Sequence, residues 1–115
     1  MENLPTMHWL YAHMIGDFIL QSDWMAKGKK VNSWICAVHI FFYMTPFVFT
    51  GLPWVALAII AVQHFIQDRT NFVSWSMILL GKPTFSQPPF APWSIILMDQ
   101  LYHILFVAFV VYLFV

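Results

Sequence analysis

Seven ionisable side chains lie inside otherwise apolar stretches of this sequence: His13, Asp17, His39, His64, Asp68, Asp99 and His103. Six of them form pairs four residues apart, His13/Asp17, His64/Asp68 and Asp99/His103, and on a helix that spacing turns both side chains to one face. Four Asp and five His scattered at random over 115 residues would give roughly a third of one such pair. Imidazole and carboxylate together form a ligand set for divalent transition metals, zinc first, with manganese and iron as alternatives. All seven are therefore read as candidate metal ligands. Gln21, Gln63, Gln67 and Gln100 lie nearby in the chain and are suited to orient such ligands by hydrogen bonding.

The elements that must position these residues are four apolar segments, approximately 5–23, 33–50, 52–69 and 93–115. Each is close to the roughly 20 residues that a bilayer-spanning helix needs. The composition agrees: 61% of residues are hydrophobic, 9% are charged, and mean hydropathy is +0.73. Five basic and five acidic side chains cannot cover the surface of a soluble domain of this size. The expected fold is an all-α, four-transmembrane-helix bundle forming one integral membrane domain over residues 1–115. Asn32 and Ser33 are placed to cap the second helix, Pro53 suits the start of the third, and Pro92 precedes the fourth.

Lys27, Lys29 and Lys30 fall between the first two segments, and Arg69 and Lys82 between the last two. With four spans these loops share a side, which the positive-inside rule makes cytoplasmic. Both termini and the Thr50–Leu52 hairpin are then outside. A three-span alternative, with 33–69 as one helix broken at Pro46, puts the charges on opposite sides and ranks lower. Phe72, Trp75 and Leu79 share a face of a short interfacial helix, and four prolines between residues 83 and 92 forbid regular helix there. Net charge is zero, so nothing points to nucleic acid as a partner. Cys36 is alone and reads as a small buried residue. The N-terminus lacks a basic n-region, so the first segment is expected to be retained.

Counting about 1.5 Å of rise per residue from the cytoplasmic helix ends puts Asp17, His39, His64 and Asp99 in one layer. His13 and His103 fall deeper, and Asp68 falls near the cytoplasmic edge. Gly16 beside Asp17 permits close helix approach. His8 lies near the outer end without an acidic partner and reads as interfacial, while Asp23 with Lys27 reads as an exposed ion pair. Polar residues also tie membrane helices together with no ion present, so a purely structural layer and a proton or ion path stay open beside metal binding.

The run HMIGDFILQSDWM, written H-x-x-G-D-x-x-x-Q-x-x-W, resembles the first-helix motif of a small polytopic membrane-protein family of unknown function from bacteria and phages. His39, the HFIQD run from His64 to Asp68, and the DQLYH run from Asp99 to His103 are similar to the later motifs of that family. The resemblance implies similarity to membrane-bound metal-dependent hydrolases. In that reading one or two metals held by the seven residues activate a water at the cytoplasmic leaflet. Asp68 is the general base, Arg69 holds a phosphate or carboxylate of the substrate, and the substrate is an amphiphile. Membrane lipid is the expected partner. The competing reading is a non-enzymatic module, handling protons or ions or binding a partner, with self-association through the aromatic faces of the second and fourth spans.

Overall fold

The computed structural model describes residues 8–114, and all their regular structure is helical. The first expected span is divided. Helix α1 (His8–Met14) runs directly into a π-helical turn (Ile15–Ile19), the chain breaks at residues 20–22, and α2 (Asp23–Gly28) begins afresh. The cause of the restart is local: Ser22 is extended and its Oγ accepts from the Met25 amide at 3.3 Å, an N-cap that commits the next turn to a new helix. Asp23 and Lys27 occupy the first and last turns of α2, where the helix dipole favours each charge. Residues 1–7 and 115 lie outside the described residues, and with them the start expected for the first span.

Helix α3 (Ser33–Met44) is capped by Asn32, whose Oδ1 accepts from the amides of Trp34 and Ile35 at 2.8 and 3.2 Å. A 3-10 segment (Pro46–Thr50) extends it, and Gly51, at φ 85°, turns the chain toward α4 (Trp54–Arg69). Such a φ is strained for any residue with a Cβ. Helices α3 and α4 pack antiparallel as a hairpin, so residues 33–69 do not form one broken helix: Cys36 Sγ meets the Phe65 carbonyl at 3.8 Å and His39 faces His64. Helix α5 (Phe72–Leu79) leaves Phe72, Trp75 and Leu79 exposed and buries Val73, Ser76 and Met77. Turns then carry the proline-rich stretch to α6 (Trp93–Phe114).

Among the described residues, two stretches are long and apolar enough to cross a membrane, Ser33–Thr50 and Trp93–Phe114. Helix α4 has 16 residues, or about 24 Å of rise, shorter than the 18-residue span expected over 52–69. Helix α6 packs against α1, α4 and α5, and α3 packs against α2, α4 and the π-helical turn. One end of this assembly holds an apolar core of Ala12, Tyr43, Phe47, Leu52, Ala56, Ile60, Val107 and Val110. The other holds the polar residues. Gly16 allows the π turn to lie against α3, since a Cβ there would stand 2.6 Å from the Tyr43 carbonyl oxygen.

Candidate metal centre

Four elements deliver ligand-type side chains to one place: Asp17 from the π-helical turn, His39 from α3, His64 and Asp68 from α4, and Asp99 and His103 from α6. The π turn is closed by the Leu20 amide donating to the Ile15 carbonyl at 2.9 Å, five residues back. Single π turns of this kind recur at functional sites. Here the widened turn carries Asp17, which is 2% exposed.

One oxygen or ring nitrogen from each of Asp17, His39, His64 and Asp68 lies within 4.8 Å of every other. His39 Nε2 stands 3.3 Å from Asp17 Oδ1 and 3.1 Å from Asp68 Oδ2; His64 Nε2 stands 3.6 and 2.9 Å from the same two oxygens. The two Nε2 atoms are 3.2 Å apart. Zinc bonds of about 2.0–2.2 Å put neighbouring ligand atoms of a tetrahedron roughly 3.3–3.6 Å apart, so the spacing fits a small dication. Asp17 Oδ1 and Asp68 Oδ2 are buried and find no hydrogen-bond partner among the described residues. Asp68 Oδ2 has the Lys29 ammonium beside it at 3.2 Å, whereas Asp17 Oδ1 has no ammonium or guanidinium against it among the described residues, a state that is costly for a buried carboxylate oxygen unless a cation meets it.

Asp68 is the hub of this arrangement. Its Oδ2 also meets the Lys29 ammonium at 3.2 Å, and its Oδ1 meets His103 Nε2 at 3.1 Å. Asp68 was expected at an edge, yet it is fully enclosed. The reason is the tilt of helical side chains toward their own N-terminus. Asp68 leans back along α4 toward His64, and His103 leans back along the oppositely directed α6 toward Asp99, at 3.6 Å, so both enter the layer. The same tilt carries His13 away from it.

His13 therefore plays a different part from the one its spacing suggested. Its Nδ1 lies 2.7 Å from the Tyr43 hydroxyl and its Nε2 lies 2.8 Å from Gln100 Oε1, while Asp17 Oδ2 is 4.0 Å away. The neutral ring donates from Nε2 to Gln100 and accepts from Tyr43. Gln100 Nε2 in turn donates to Asp17 Oδ2 at 2.7 Å, which leaves Oδ1 to face His39 and His64. A second ladder runs from Gln63 to Gln67 at 2.7 Å and from Gln67 Nε2 to Asp99 Oδ1 at 2.9 Å. The rings of Tyr43, His64 and His103 are stacked, with successive centroids 3.8 Å apart.

Arg69 stands outside the group. Its Nε donates to Ser33 Oγ at 3.0 Å and its Nη1 to the Lys30 carbonyl at 2.7 Å, tying the end of α4 to the start of α3. The Lys30 ammonium donates to the carbonyls of Asp68 and Thr70 at 3.0 and 3.2 Å, capping the C-terminus of α4. The cation that faces the site is Lys29, which spacing alone had marked only as a topology signal. Burial pushes its ammonium toward deprotonation, but Asp68, Asp17 and Asp99 outweigh that and hold its pKa above the usual lysine value. A cavity of about 460 Å³ opens onto Asp17, Asp68, Asp99 and Lys29, with Phe18, Ile95 and Ile96 on its apolar walls.

The sequence model of a family described as "Protein of unknown function (DUF3307)" matches residues 6–115. The chain belongs to this family. The match takes in every residue of the polar group, so the group lies within the family domain. No curated protein and no solved structure gives a match.

Proposed function

We propose that this chain is a four-span protein of a bacterial inner membrane, of cellular or phage origin, that binds a divalent transition metal and hydrolyses an amphiphilic substrate at the cytoplasmic leaflet. The observation that carries the reading is the convergence of His39 Nε2, His64 Nε2, Asp17 Oδ1 and Asp68 Oδ2 on one point, with Asp17 Oδ1 lacking a hydrogen bond among the described residues. Zinc fits the spacing and the ligand types best, and manganese or iron suits the same donors. A divalent ion held there supplies Lewis acidity and lowers the pKa of a water molecule. Charge supports the assignment. Asp17, Asp68 and Asp99 bring three negative charges, and Lys29 is the one ammonium or guanidinium in contact with them among the described residues, which leaves a deficit that one dication closes.

Polarity supports the membrane placement. Four His, two Asp and a Gln are buried, whereas Phe41, Phe49, Trp54, Val62, Leu105 and Tyr112 are each at least 60% exposed. That inverts the pattern of a soluble domain. An apolar groove between α4, α5 and α6, with Trp54, Val62, Trp75 and Phe109 on its walls, suits contact with lipid chains. In this reading Asp68 is a ligand, Lys29 holds an anionic group of the substrate at the cavity mouth, and Arg69 secures the α3–α4 hairpin. His13 and Gln100 keep Asp17 in position.

A second reading rests on the contacts that form without an ion, His103 with Asp68 and Lys29 with Asp68: a non-enzymatic module, alone or self-associated, whose polar layer ties the helices together. Metal content per chain after purification in mild detergent separates the two. Stoichiometric metal in the wild type that is lost in His64→Ala supports the metal-dependent reading, and a labelled-lipid panel then tests hydrolysis. A folded wild type that takes up none on addition leaves the second reading.

A further inference from the structure

Beyond the four-ligand group, Asp17, Asp99 and His103 also bring one ligand atom each within 4.8 Å of one another. The two groups share Asp17 and adjoin through Asp68, whose Oδ2 faces His39 and His64 while its Oδ1 faces His103. We propose that the site is binuclear, with a second divalent transition ion held by Asp99, His103 and Asp17, and with Asp68 bridging the two ions. This deepens the single-metal reading and rests on it.

Three observations carry it. Asp17 is common to both groups, and its Oδ1, in a side chain that is 1% exposed and facing His39 and His64, has no hydrogen-bond partner among the described residues. Asp68 presents its two oxygens to imidazole nitrogens on different sides, which is what a carboxylate must do to bridge metals about 3.5–4 Å apart. Asp99 spends Oδ1 on Gln67, and its Oδ2 takes no hydrogen bond among the described residues.

The two positions also differ in access. The side chains of the first group are at most 1% exposed, whereas that of Asp99 is 16% exposed and lines the cavity. Closed coordination is the mark of a structural metal, and an open position is the mark of one that meets substrate. The cavity touches carboxylates of both positions, Asp17 and Asp68 as well as Asp99, and the partly exposed Asp99 makes the second position the more open of the two. The second ion, with the carboxylates of Asp99, Asp17 and the bridging Asp68 and one imidazole, is in a harder donor set than the first, which suits manganese or iron as well as zinc. Two dications beside Lys29 reverse the charge deficit of the carboxylates, so the cavity then favours an anionic group such as a phosphate ester.

The test is the number of ions bound by the metal-free, full-length protein in detergent micelles after equilibration with manganese or zinc and desalting. Wild type should hold two per chain and Asp99→Asn one, with helix content and elution volume unchanged. With manganese, the wild type should show the exchange-coupled paramagnetic resonance spectrum of a close pair, and Asp99→Asn the six-line signal of an isolated ion. His103→Gln serves as the second variant with the same expectation. One ion in wild type and in both variants overturns the second site and leaves the first. Two in wild type and two in Asp99→Asn overturns it also, because Asp99 is then no ligand. None in a folded wild type overturns both readings.

Discussion

His39 and His64, 25 positions apart on antiparallel helices, face each other Nε2 to Nε2 across 3.2 Å, with a carboxylate oxygen on either side of the pair. Two neutral imidazoles in that relation can place a proton on only one of the facing nitrogens. A cation between them satisfies both. Replacing either ring by alanine should therefore empty the position between them, cutting bound metal to about half of the wild-type level or less, while leaving the apolar core intact. Elemental analysis with circular dichroism checks this, and unchanged metal content in both variants would remove these residues from the site.

Gln100 and His13 touch no proposed ion and act by holding Asp17. Gln100→Ala and His13→Phe should weaken metal binding by about 10–100-fold without lowering the number of ions bound at saturation. Competition with a chromophoric chelator measures the affinity. A lowered saturation number would make His13 a ligand after all.

Lys29 balances Asp68 when no metal is bound. In Lys29→Met the metal-free protein should melt below the wild type, and added metal should raise its melting temperature by more than it raises that of the wild type. The pH dependence has a definite sign. Because the folded-state pKa of Lys29 is raised, its contribution is fully present below the ordinary lysine pKa and fades as pH climbs through the raised value. The wild-type advantage over Lys29→Met should thus hold from neutral to mildly alkaline pH and shrink only in strong alkali. An equal advantage at all alkaline pH values would exclude an ionic role.

Metal binding itself should respond at the other end of the scale. The imidazoles of His39, His64 and His103 must be neutral and the carboxylates ionised to act as ligands, so loading releases protons and affinity falls as pH is lowered. Isothermal titration in buffers of different ionisation enthalpy counts the protons released.

Gly16→Ala should destabilise the chain by about 1–3 kcal/mol, since its Cβ would stand 2.6 Å from a backbone oxygen that cannot move without shifting α3. Arg69→Ala should cost about 1 kcal/mol through loss of the Ser33 and Lys30 contacts and leave metal stoichiometry as it was. Thermal melts read both.

Much of the site was legible in the sequence because helical spacing is a strong constraint. The pairs His64/Asp68 and Asp99/His103 are seen in contact at 2.9 and 3.6 Å; of the four glutamines singled out as orienters, Gln67 and Gln100 contact candidate ligands and Gln63 holds Gln67, whereas Gln21 accepts from Lys29 instead. Spacing gave faces, however, and not the lean of each side chain along its helix. For that reason Asp68 was set too shallow and His13 was read as equivalent to His103. The π turn was illegible as well. No local pattern announces it beyond a glycine inside a helix, at Gly16, where the turn approaches Tyr43 of the facing helix. The restart at Asp23 was visible only as Ser22, which reads equally as the end of the helix before it.

The position of Asp68 bears on how the chain assembles. Its carboxylate is met by His39 from α3, His64 from its own helix, His103 from α6 and Lys29 from the segment after α2. Any intermediate that has docked only two of these elements leaves a charge without its complement, so partial structures are penalised and the complete one is not. The polar layer thus makes folding cooperative across elements that share little apolar contact at that end, and it discriminates the native helix arrangement from alternatives that bury the same hydrophobic area.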